Sequence, residues 1–159
     1  MKKYLCSLLF MAMSLLLLSS CGLEQLPKTK GWKPTIYEAF NNFKGVTMTI
    51  KEGTISSTGL TVILENNSDK QGLFGEDFSL EKNINGKWYQ VPISTDENYG
   101  FNSIGYDLPS SDVKEWNASW DELYGSLEAG EYRIVKEILD FRTSGDFDKY
   151  YLTAEFVVD

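Results

Sequence analysis

Of the side chains that usually carry chemistry, this sequence lacks one outright: its 159 residues contain no histidine. That removes the usual general base and the commonest metal ligand. Its two cysteines, Cys6 and Cys21, both lie near the amino terminus, so neither a disulfide framework nor a zinc site can be assembled further along. Carboxylates remain. Glu76-Asp77 and Asp121-Glu122 are formal acid pairs for glycoside hydrolysis, but adjacent residues on a strand point to opposite faces, whereas hydrolysis needs two carboxyl groups flanking one bond. Asp140, Asp146 and Asp148, in DFRTSGDFD, sit where a loop could offer oxygens to calcium. They lack the ligand order of an EF-hand and its closing glutamate, and a solvated turn between two strands is the simpler expectation. The sequence predicts no catalytic residue, no metal site and no cofactor.

Aromatic rings are the more suggestive set. Tyr99, Phe101 and Tyr106 share the stretch STDENYGFNSIGYDLPSS, residues 94–111, which reads as a long loop. Loops on a rigid scaffold are where binding commonly resides, and these rings could stack on a sugar or a partner protein. The competing arrangement, the one expected here, folds them inward to cover an open edge of the body. Trp88, Trp116 and Trp120 fall on strand parities that suit a core, where each indole N–H then needs a partner.

Charge narrows the partners. The chain has 15 basic and 23 acidic side chains, a net charge of -8, which argues against nucleic acid, whose phosphates demand a basic face. The amino terminus has its own logic. Lys2 and Lys3 precede an uncharged, largely apolar run from Tyr4 to Leu23, the grammar of an export signal. Within it, Leu18-Ser19-Ser20-Cys21 resembles the bacterial lipoprotein signal: an aliphatic residue, two small ones, then cysteine. The resemblance implies cleavage between Ser20 and Cys21, thioether lipidation of Cys21, and a cell-membrane location with the body facing outward. Loss of residues 1–20 would leave 13 basic against 23 acidic side chains, a net charge of -10. Such a body is repelled by an anionic membrane surface and should stand off from it.

The elements that must position these groups follow from the hydrophobic pattern. Residues 21–44 read as the lipidated cysteine and a tether, in which Ile36, Tyr37, Phe40 and Phe43 have the spacing of a short docked helix. From Gly45 the period changes to two. Val46, Met48 and Ile50 alternate, as do Leu60, Val62 and Leu64, then Phe78, Leu80 and Ile84 fall on one parity. Asn85-Gly86 is a hairpin signal, and Lys87 to Val91 is its return strand. Trp116, Ala118 and Trp120 form another strand, followed by one helical turn at 120–124, opened by a Ser119–Glu122 capping box and closed at Gly125. Tyr132, Ile134 and Val135 form a strand, and Tyr150 to Val158 alternate through the last. Seven short strands at close spacing predict an all-β antiparallel sandwich, immunoglobulin-like or fibronectin-like, over residues 45–159.

One local pattern sharpens that class. Leu127, Gly130 and Tyr132, in LEAGEY, look like a tyrosine corner, where a hydroxyl bonds back to the backbone as the chain crosses between sheets. Together with Glu65-Asn66, Gly75-Glu76, Leu80-Glu81-Lys82, Gly86-Lys87-Trp88-Tyr89 and Gly130-Glu131-Tyr132-Arg133, the body resembles the bacterial immunoglobulin-like domain of Firmicute surface lipoproteins. The resemblance implies a β-sandwich in a cell-surface setting and brings no catalytic residues with it. The leading expectation is therefore a non-catalytic, membrane-anchored surface lipoprotein that binds an unidentified protein or glycan, or supports envelope structure. A regulator or inhibitor of an envelope hydrolase acting through residues 94–111 is the alternative, and a small glycan-processing enzyme comes third.

Overall fold

The computed structural model describes residues 31–94 and 100–159. The lipoprotein signal with Ser20 and Cys21, and the ring of Tyr99, lie outside the described residues. Among the described residues nine strands and one helical turn follow in order: β1 (Val46–Ile50), β2 (Gly59–Asn66), β3 (Gly72–Phe74), β4 (Ser79–Ile84), β5 (Lys87–Gln90), β6 (Tyr106–Leu108), β7 (Asp112–Ser119), α1 (Asp121–Tyr124), β8 (Gly130–Thr143) and β9 (Asp146–Val158).

They form two antiparallel sheets, β1-β2-β7 and a larger one ordered β5-β4-β8-β3-β6 with β9 also on β8. Strand β8 is the spine of the larger sheet. Along one flank it takes β4 at Tyr132–Val135 and then β3 at Leu139–Asp140, while β9 runs along the other flank from Gly130 to Thr143. Period two places Leu60, Val62 and Leu64 of β2 against Leu80 of β4 and Ile134 and Ile138 of β8, all nearly inaccessible. Burying each such side chain contributes roughly 1.5–3 kcal/mol. The sandwich is all-β, as the pattern predicts.

Strand β8 departs from simple alternation, since five consecutive residues, Tyr132 to Lys136, are buried. Residues of even number face the opposite sheet, so Arg133 and Val135 must be covered from outside. Residues 33–43 provide the cover, as an extended strap across the outer face. Gln90 N–H donates to the Lys33 carbonyl at 2.8 Å and Thr35 N–H to the Trp88 carbonyl at 3.0 Å, which fixes the strap to β5. The ring of Tyr37 packs edge-on against Tyr151, and Phe40 lies over the guanidinium of Arg133 at 4.3 Å. At the far side Asn41 behaves as a one-residue strand: its N–H donates to the Tyr151 carbonyl, and its amide side chain both accepts from Thr153 N–H and donates to the Thr153 carbonyl. Phe43 then enters the core and stacks on Tyr150.

Several local expectations change. The strap is not a helix; Ile36 is 71% exposed, so the four apolar residues do not share one face. Nine residues cannot sustain a helix unaided, and sheet edges with free backbone groups win them instead. The tether read to residue 44 is already held on the body from Lys33. The 94–111 stretch contains β6, paired with β3, so Tyr106 stands on a strand rather than in a loop. The turn at 120–124 forms and Gly125 N–H closes it onto the Asp121 carbonyl at 2.9 Å, but Trp120 occupies the N-cap without a side-chain cap. Ser119 belongs to β7, one residue too early for a capping box.

Candidate functional site

The residues singled out in the sequence that are described each have a place. Tyr132 is buried, and its hydroxyl donates to the Glu128 carbonyl at 2.8 Å, across a turn in which Gly130 takes a φ of 152°. Leu127 is buried nearby in the core. Asp140, Asp146 and Asp148 are not in a loop: the strands run on to a tight turn at Ser144-Gly145, leaving Asp140 on β8 and the other two on β9. Arg142 gathers all three, at 3.6, 2.7 and 3.0 Å, and Lys70 also pairs with Asp140. Arg142 holds the Asp146 carboxyl below its ordinary value. Three carboxylates committed to one guanidinium form an ion-pair network.

The two described rings of the 94–111 stretch both pack on the body. Tyr106 stacks on Phe74 at 5.4 Å and its hydroxyl donates to Glu76, an acceptor that raises its pKa. Phe101 meets Phe78 at 5.6 Å, and Phe78 also carries Trp116 and Tyr124. These half-buried rings extend the core at that end of the sandwich.

Sequence reasoning missed three buried charges. Arg133 donates to Glu81 through Nε at 2.7 Å, with Nη2 on the same carboxylate oxygen at 2.5 Å. The guanidinium lies between Phe40 and Trp88, the latter at 4.4 Å. Glu81 Oε1 is the one buried side-chain polar atom without a hydrogen bond among the described residues. Lys136, on the core-facing parity of β8, is fully buried with its Nζ donating to the carbonyls of Gly75 at 2.6 Å and Asp77 at 2.8 Å. The same ammonium lies 3.7 Å from the ring of Trp116. Desolvation pulls its pKa down to about 8, against the attraction of Asp77, Glu76 and Glu137. The local pattern gives no hint of this, because a lysine following Val135 reads as the end of a strand.

Between strap and body lies a cleft of about 330 Å³. One wall is Gly31, Lys33 and Tyr37 of the strap; the other is Ser79, Leu80, Gln90 to Ile93 and Tyr124. Leu80 is buried, Ile93 is 54% exposed, and the lining is otherwise aliphatic and aromatic with a few polar groups. The hydroxyls of Tyr37 and Ser79 are bonded at 2.8 Å. Whichever donates, the other keeps a hydrogen to offer. Gln90 Nε2 spends one hydrogen on the Pro34 carbonyl and keeps its second. Burial pushes the Tyr124 phenol up to about 12 and raises that of Tyr37, so both stay protonated. A small apolar cleft with a few convergent donors has the form of a ligand site.

Comparison with known proteins agrees with this architecture. No curated protein and no solved structure matches the chain. The family described as bacterial Ig-like domain matches residues 42–157, which takes in every described strand but for the last residue of β9. The two-sheet antiparallel sandwich and a match over most of the sequence lead to one conclusion: the chain belongs to the bacterial Ig-like domain family.

Proposed function

We propose that this protein is a non-catalytic, lipid-anchored surface module whose Ig-like body binds a partner at the cell envelope. The observation that carries the non-catalytic part is the fate of the interior charges. Arg133 is held by Glu81, Lys136 by two carbonyls, and Asp140 by Lys70 and Arg142. Each stabilises a bend, a sheet face or a hairpin, and none is a free acid or base presented to solvent. The anchor reading rests on Leu18-Ser19-Ser20-Cys21, and a diacylated cysteine would supply two chains, enough for durable attachment where one is marginal.

Mass spectrometry of the protein isolated from membranes tests the anchor. The expected species begins at Cys21 and carries a diacylglyceryl adduct; a retained 1–20 segment or an unmodified thiol overturns it. Capture from native envelope tests the binding part, with retention of a defined protein or glycan expected. Regulation of an envelope hydrolase through residues 94–111 gains less support, because Phe101 and Tyr106 pack on the body.

A further inference from the structure

Among the described residues the strap cleft has one charged lining residue, and in a chain with 23 acids and 15 bases that residue is Lys33. Glu81 and Asp77, outside the lining, act on Tyr37, but no carboxylate among the described residues lines the cleft. Its remaining polar side chains are the Tyr37–Ser79 hydroxyl pair, the Gln90 amide and the Tyr124 phenol. Two of these supply a spare hydrogen, as argued above, and the ammonium supplies more. The phenols stay neutral at any physiological pH. An aliphatic and aromatic surface, formed by Leu80, Val91, Pro92, Ile93 and the two tyrosine rings, occupies the rest. Donors sharing a lining with one cation, with no competing anion among the described lining residues, complement a single carboxylate, because charge-assisted hydrogen bonds to an anion are the strong kind. The surrounding apolar surface complements an apolar body on the same ligand.

We infer that this cleft binds a small monocarboxylate with an apolar body. The inference deepens the binding-module reading and rests on it, though not on the anchor. It also explains why the strap matters to recognition. Gly31, Lys33 and Tyr37 precede residue 42, where the family match begins. The part of the chain that the family matches supplies Ser79, Leu80, Gln90 to Ile93 and Tyr124, while the residues before it add the cation and one hydroxyl. Selectivity is thereby placed on the segment that leads to the amino terminus. Two sources share the chemistry: a free organic acid, or the terminal carboxylate of a peptide.

The test uses the full chain in detergent and equilibrium dialysis against 4-phenylbutyrate and 4-phenylbutyramide, then acetyl-Val-Phe with a free and with an amidated carboxyl group. Each acid should bind about tenfold more tightly than its amide, the size of one good charge-assisted contact. Lys33→Gln should abolish that preference and Lys33→Arg should keep it, with the melting temperature unchanged in both because Lys33 is exposed. The tighter of the two acids identifies the source. Equal binding of acid and amide, a preference that survives Lys33→Gln, or no binding of either acid overturns the inference. Capture of an envelope partner by the Lys33→Gln protein as well as by the wild type, alongside such a result, would leave the binding-module reading standing and this inference alone refuted.

Discussion

At the scale of single residues, Lys136 is the most unusual feature. Its ammonium is buried against Trp116 and held by two carbonyls, and desolvation lowers its pKa from 10.5 to about 8. Between those values the unfolded chain binds the proton that the folded one has released, so stability rises with pH through that window. The whole effect is at most about 3 kcal/mol. Above pH 10 the sign reverses, because Tyr37, Tyr106 and Tyr124 have raised phenol pKa values and the unfolded chain ionises first. Denaturant unfolding at intervals from pH 7 to 10 should therefore show a rise that Lys136→Met flattens; a flat wild-type profile would mean the buried ammonium carries no penalty. No local pattern announces this lysine's burial, whereas parity alone places Trp116 and Trp120 in the core; Trp88, read the same way, instead lies half-buried against Arg133. Trp120 is fully buried with its indole donating to the Ser57 carbonyl at 2.9 Å. Apolar side chains announce a core by their period, but a buried cation depends on carbonyls that only the fold brings to it.

At the scale of elements, β8 organises the molecule, and its start is fixed by the Tyr132 hydroxyl on the Glu128 carbonyl. Tyr132→Phe keeps the buried ring and its stacking on Phe156 but removes that bond, so a loss of about 1–2 kcal/mol is expected in denaturant unfolding. A neutral result would reduce Tyr132 to a packing residue. The seven strands expected from the sequence are present, although β8 runs on past Val135 to Thr143 and β9 begins at Asp146 rather than Tyr150. The two that escaped, β3 and β6, have three residues each, too few to display a period. The strap was illegible for a different reason. Its order comes from meeting β5 at one end and β9 at the other, while the spacing of its rings imitates a helix. The strap-side members of the candidate cleft, Lys33 and Tyr37, were hidden for the same reason: nothing local joins them to Ser79 or Tyr124.

At the scale of the whole molecule, the family boundary and the physical boundary differ. The match begins at residue 42, yet the Arg133–Glu81 pair and Val135 are buried beneath residues that precede it. A chain starting at Asn42 should keep the sandwich by circular dichroism but lose about 2–4 kcal/mol, since the rings of Tyr37 and Phe40 no longer cover the sheet and a buried ion pair meets water on one side. An unchanged denaturant midpoint would show that the strap rests on the body without stabilising it.

The strap meets β5 at Trp88–Gln90 and β9 at Tyr151–Thr153, the two flanks at which the larger sheet would otherwise present unpaired amides. An exposed strand edge is a template for lateral growth by further copies. Eleven residues that look like an approach to the domain thus cover backbone groups on two strand edges, and a proteolytic cut within them would leave those edges open to further copies.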